Sequence, residues 1–133
     1  MTVVPDASAV VAAVTSTAGD GPWARAWLQR GPLVAPHLMP VETANILRRL
    51  MLAGELTPQA AAAAHEDLLS LRVQFVPYAP YAERVFAMAG RVTAYDAWSV
   101  AVAVVHDACL VTLDRRLARG VDDMCRVHVP PIR

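Results

Sequence analysis

Short runs of apolar, often β-branched residues alternate with longer helical stretches along the whole chain, and this alternation limits the fold more than any other feature. Residues 2–4, 33–35, 73–76, 109–112 and 126–129 are each too short for a helix and read as buried strands. Helices are predicted over 7–14, from Pro22 to a stop at Gly31-Pro32, over 38–53 to a stop at Gly54, and over 58–71, where Thr57 caps and Pro58 opens the first turn. Further helices are predicted over 79–89, closed by Gly90, over 93–107, and over 115–119, ended by Gly120. Strands that recur with a helix between them pair in parallel and need cover on both faces. The expected architecture is a three-layer α/β/α domain, with a mostly parallel central sheet of about five short strands.

The 133 residues suit one domain spanning 1–133, and 56% of them are hydrophobic, enough for a substantial core. No apolar stretch approaches a membrane span, and the opening MTVVPDAS lacks a basic region followed by an apolar one, so a cytoplasmic location is expected. Cys109 and Cys125 have no metal-ligand spacing and read as reduced thiols used as small hydrophobes. His37, His65, His106 and His128 are isolated from one another and offer no zinc site. Net charge is zero, which disfavours tight non-specific nucleic-acid binding. All twelve basic residues are arginine, the side chain suited to bidentate contact with phosphate.

Ligands of open α/β sheets sit beyond the carboxyl ends of the strands, where strand order reverses. Asp6 follows the first strand and Asp114 the fourth, each where a strand hands over to a helix. Asp96 opens a helix that is apolar nearly all round, which would hold it against the core, although an acid in a first helical turn is favoured by the macrodipole alone. Val41, Ala44, Leu47 and Met51 mark an apolar stripe on the helix after Pro40, and Glu42, Asn45 and Arg49 align on another face. That second face is either solvated or turned toward the same edge as the aspartates. Carboxylates brought together raise one another's pKa, and hard divalent cations relieve the strain. All-oxygen ligation selects Mg²⁺ or Mn²⁺. Such a site suits phosphodiester hydrolysis.

Four blocks stand in order: Val3-Val4-Pro5-Asp6-Ala7-Ser8-Ala9, Pro40-Val41-Glu42-Thr43-Ala44-Asn45, Thr93-Ala94-Tyr95-Asp96-Ala97, and Leu110-Val111-Thr112-Leu113-Asp114-Arg115-Arg116-Leu117. Over nearly the whole chain this resembles the PIN-domain ribonuclease toxins of the VapC type, from bacterial toxin–antitoxin pairs. The resemblance implies a PIN-like fold. It makes Asp6, Glu42, Asp96 and Asp114 the metal-binding catalytic acids, with Ser8, Thr112 and Asn45 as polar companions. It further implies endonucleolytic RNA cleavage leaving a 3′-hydroxyl and a 5′-phosphate, a homodimer, and a small antitoxin whose tail covers the acids. Trp23 and Trp27, one helical turn apart, are candidates for the antitoxin groove or else for the core of their helix. Arg48, Arg49, Arg115, Arg116 and Arg119 flank the acid-bearing segments and are candidates for RNA phosphates, or else solvated charges. Two positions depart from the family pattern: Ser99, where an aromatic is common, and the turn His106-Asp107-Ala108, which lacks a frequent glycine.

Other chemistries fit less well. A phospho-acceptor receiver domain or an aspartate phosphatase relies on a lysine, and the chain has none. A second aspartate two residues after Asp6, as in the phosphatases, is replaced by Ser8. The remaining alternative is a non-catalytic PIN-like binding or scaffold module, which would be expected to have lost some of the acids.

Overall fold

The computed structural model describes residues 1–16 and 19–132. Its strands are β1 (Val3–Pro5), β2 (Leu33–Pro36), β3 (Val73–Val76), β4 (Cys109–Val111) and β5 (Val127–His128). They form one sheet in the order β3-β2-β1-β4-β5, with every pairing parallel. The helices are α1 (Ala7–Thr15), α2 (Asp20–Leu28), α3 (Met39–Leu52), α4 (Pro58–Ser70), α5 (Ala82–Ala87), α6 (Ala94–Val105) and α7 (Arg115–Val121). The three-layer α/β/α arrangement predicted from the alternation is therefore the fold.

Side chains of the central strands alternate between two cores, as the two-residue strand period requires. Val3, Leu33, Cys109 and Val111 pack with Ala9 of α1 and Trp27 of α2, while Val4, Val34 and Leu110 pack against Val100, Ala101 and Ala103 of α6. Helices α3 and α4 pack on α1. Strand order runs outward from β1 in both directions, so the β1/β4 junction is the switch point, paired Val3↔Cys109, Val4↔Leu110 and Pro5↔Val111.

Several local expectations needed correction. The buried row of α3 is Met39, Thr43 and Leu47, while Val41 is 60% exposed. Thr43 concealed this row because its polar side chain is buried at no cost in unmet hydrogen bonds: its hydroxyl donates to the Met39 carbonyl at 3.0 Å. The stretch predicted as one helix from 79 is a 3-10 turn at Ala79–Tyr81 followed by α5, with Pro80 unable to donate in that first turn. Helix α7 continues through Gly120 to Val121 instead of ending before it. Gly54 does end α3, with φ of 77° and the Glu55 N–H donating back to the Leu50 carbonyl at 2.9 Å. The same motif ends α6 without glycine. Asp107 adopts φ of 49°, Ala108 N–H donates to Ala103 C=O at 2.9 Å, and Asp107 N–H to Val104 C=O at 3.3 Å. The turn noted as lacking a glycine thus holds an aspartate in the left-handed conformation that glycine adopts most cheaply.

Among the described residues no helix is long and apolar enough to cross a membrane.

Candidate active site

At the switch point the parallel register carries Asp6 past the end of β1, where its N–H donates to the Val111 carbonyl at 2.9 Å. Beside it stands Thr112, fully buried. The Thr112 hydroxyl donates to Asp6 Oδ2 at 2.7 Å and accepts the Asp114 N–H at 3.0 Å. Ser8 Oγ lies 3.1 Å from the same carboxylate oxygen and 3.2 Å from Thr112 Oγ1, and it accepts the Leu113 N–H at 3.0 Å. Asp6 Oδ1 accepts the Ala7 N–H at 2.8 Å, making Asp6 the N-cap of α1. Both oxygens of Asp6 are thereby fixed, and the strand ends of β1 and β4 are joined through hydrogen-bonded side chains.

The other acids also occupy helix N-termini. Asp114 caps α7, its Oδ1 accepting the N–H groups of Arg116 and Leu117 at 3.0 and 3.1 Å. Asp96 lies in the first turn of α6, its N–H donating to the Thr93 hydroxyl at 3.3 Å. Glu42 lies in the first turn of α3. Four helices thus present their positive ends, each with a carboxylate, and the macrodipoles favour negative charge there.

Electrostatic coupling ties the acids together. Glu42 has its pKa raised from 4.5 to about 6, first by burial and then by Asp6 and Asp96. Asp96 is also raised, by burial, by Asp6 and by Asp114, with a hydrogen bond from Thr93 pulling the other way. Each acid is therefore within electrostatic reach of at least one other. No group of three His, Cys, Asp or Glu side chains is placed to hold one ion unaided, among the described residues. The donor set is all oxygen and carries an excess of negative charge, which fits Mg²⁺ or Mn²⁺. Mg²⁺ in particular keeps several waters and takes only one or two carboxylates.

The supporting candidates separate by position. Ser8 and Thr112 are in the hydrogen-bonded network, whereas Asn45 is exposed on α3 and makes no hydrogen bond to the acids among the described residues. Arg48 and Arg49 are exposed farther along α3. Arg115 gives its guanidinium to the Pro130 carbonyl, and Arg116 is exposed beside a cleft of about 610 Å³ that Asp96 and Asp114 also line. Trp27 is 7% exposed, stacked on His128 at 4.3 Å and covered by the Arg30 guanidinium at 4.1 Å. Its burial places it in the core, which leaves Trp23, half-buried and edge-on to Trp27, as the tryptophan with a face toward solvent. Thr93 was not singled out in the sequence, although Thr93-x-x-Asp96 is a visible capping pattern.

A family model described as PIN domain matches residues 3–122. The chain belongs to the PIN-domain family. Within it, proteins named as VapC ribonucleases match nearly the whole chain. It is 34% identical to Ribonuclease VapC1 of Mycobacterium tuberculosis over 127 residues, 95% of this chain and 96% of that one. It is equally similar, at 34% over 129 residues, to Ribonuclease VapC9 of the same species, covering 97% and 98% of the two chains. Among solved structures, PAE2754 from Pyrobaculum aerophilum superposes with a TM-score of 0.72 at 26% identity, over 96% of this chain and 83% of that one. M. tuberculosis VapC20, described as a sarcin-ricin loop cleaving toxin, gives a TM-score of 0.67 at 21% identity over 89% and 94%. VapBC2 from Rickettsia felis, solved with a DNA fragment from its promoter, gives 0.65 at 11% identity over 97% and 98%. These last two resemblances concern the PIN fold itself.

Proposed function

We propose that this chain is a divalent-metal-dependent endoribonuclease, the toxin of a toxin–antitoxin pair, with Asp6, Glu42, Asp96 and Asp114 as its acidic centre. The observation that carries the reading is the gathering of acid-bearing helix N-termini around Asp6 at the β1/β4 switch point, where burial and then the Asp6 charge raise the pKa of both Glu42 and Asp96. Carboxylates whose charged forms are disfavoured in the free chain are a poor choice for stability and a good one for binding a cation.

Asp6, Asp96, Asp114 and Glu42 would hold Mg²⁺ or Mn²⁺, and the ion, when bound, supplies charge neutralisation and a more acidic water for attack on phosphorus. The protein's own contributions are positional. Ser8 and Thr112 fix the Asp6 carboxylate, and Thr112 also holds the backbone that carries Asp114. Those bonds keep the carboxylate pre-oriented, so little reorganisation accompanies reaction.

The relatives named as ribonucleases support RNA as substrate, and the R. felis VapBC2 complex supports a small antitoxin as partner. A homodimer, a cytoplasmic location and a single domain over 1–133 belong to the same reading. Cleavage of a mixed RNA pool by purified chain, with Mg²⁺ or Mn²⁺ against EDTA and Asp96→Asn alongside, tests it. Metal-dependent cutting that disappears in Asp96→Asn is expected. Absence of cutting by antitoxin-free protein on pools that include ribosomal, transfer and messenger RNA would favour a non-catalytic binding module.

A further inference from the structure

The cleft beside Asp96 and Asp114 runs between the turn that follows α5 and the last turn of α7. Two glycines line it, Gly90 in the turn and Gly120 in the helix. Neither adopts a positive φ, and a Cβ at either would meet nothing within 4 Å. Backbone conformation and packing therefore give no reason for glycine at either place. In a helix, glycine is moreover a poor choice beside alanine. What a side chain would change is the width of the cleft.

The arginines around the cleft are used differently. Arg91 donates to the Gly120 carbonyl at 2.6 Å and pairs with Asp123 at 2.6 Å, strapping the turn to α7 and fixing the spacing of the two walls. Arg115 is committed to Pro130. Arg116 is exposed, lines the cleft, and has no ion pair among the described residues although Asp114 lies two residues away. Asp114 Oδ1 is already engaged by two N–H groups at the start of α7. A guanidinium with no ion pair among the described residues, standing beside Asp96 and Asp114 and facing about 610 Å³ of open cleft, is suited to an anion of small-ligand size.

We infer that this cleft seats the nucleotide adjoining the scissile bond of single-stranded RNA, with Arg116 holding its phosphate and the bare Gly90 and Gly120 making room for sugar and base. The inference rests on the ribonuclease reading above. It selects Arg116 from the flanking arginines and gives the two glycines a role in substrate access.

The test is steady-state cleavage of a single-stranded RNA by the full chain and by Arg116→Ala, Arg116→Lys, Gly120→Ala and Gly120→Val, with melting temperatures alongside. Binding of labelled RNA is measured in an Asp96→Asn background with Mg²⁺ present. Arg116→Ala should raise KM and weaken binding about tenfold, as for loss of one charge-assisted contact, with kcat little changed. It should also lower the salt slope of binding by about one. Arg116→Lys should recover part of the loss, since it keeps the charge and loses the planar fork. Gly120→Ala should raise KM while melting no lower than wild type, and Gly120→Val should raise it further. If the wild type cuts RNA but Arg116→Ala and Gly120→Val leave KM and binding unchanged, the cleft assignment falls and the ribonuclease reading stands. If the wild type neither cuts nor binds RNA, both fall together.

Discussion

Replacing Glu42 with glutamine should abolish cleavage and yet stabilise the metal-free protein above pH 6. The Glu42 carboxyl titrates near 6 in the folded chain against an ordinary value of 4.5, because burial and the neighbouring Asp6 and Asp96 disfavour its charge. Below pH 4.5 the group is neutral in folded and unfolded chains alike and exerts no penalty. As pH rises from about 4.5 to 6 the unfolded chain loses its proton first, so folding becomes progressively less favourable, and the penalty is complete above that window. At about 1.4 kcal/mol per pKa unit the shift has a ceiling near ~2 kcal/mol. Because Glu42 is only half-buried, solvent screening reduces this to about 1 kcal/mol or less. For a chain of this length that corresponds to roughly 3–4 °C in melting temperature. Thermal unfolding in EDTA, followed by circular dichroism at pH 4 and pH 8, reads it directly. Glu42→Gln should melt higher than wild type at pH 8 and level with it at pH 4, and Mg²⁺ should close the gap by stabilising the wild type more. A glutamine variant that melts lower than wild type at pH 8 in EDTA would refute the idea that the folded site disfavours the Glu42 charge.

Other perturbations separate position from chemistry. Asp114→Asn retains an N-cap and should leave stability nearly unchanged while activity is lost, whereas Asp114→Ala should also cost about 1 kcal/mol in denaturant unfolding. Thr112→Val removes the hydroxyl that holds Asp6 and leaves the partly buried Asp114 N–H without its acceptor. It should cost about 2–4 kcal/mol and lower kcat, while Thr112→Ser restores both. Asp107→Gly relieves the left-handed strain at the end of α6 and should stabilise the fold by about 0.5–1 kcal/mol, seen as a higher melting temperature with unaltered activity. Its pairing with Arg126 at 3.6 Å, between exposed side chains, contributes too little to reverse that sign.

Much of this molecule could be read from residue order alone, because the signals were local. Strand–helix alternation decided the parallel α/β class, since short apolar runs separated by helices are joined by crossovers, which pair strands in parallel and cover the sheet on both faces. Thr57-Pro58 and Gly54 marked helix ends through φ preference and missing N–H groups, which a residue carries wherever it stands. The rule that ligands gather beyond strand ends put Asp6 and Asp114 at the sheet edge, an apolar helix put Asp96 against the core, and helical spacing put Glu42 on a polar face. The common role of the four was implied only by the family resemblance. Properties that depend on which surfaces meet were not legible. Helix α3 turns Met39, Thr43 and Leu47 inward because a threonine hydroxyl can satisfy itself on its own helix, so polarity alone pointed to the wrong face. Trp27 is covered and Trp23 partly open because α2 lies over β1 with one side only. Arg115 and Arg116 are adjacent and chemically identical, yet one reaches Pro130 and the other faces the cleft. Residue type determined what each group can do, and tertiary packing decided which groups were left free to do it, because burial and pairing arise only when distant segments share a surface.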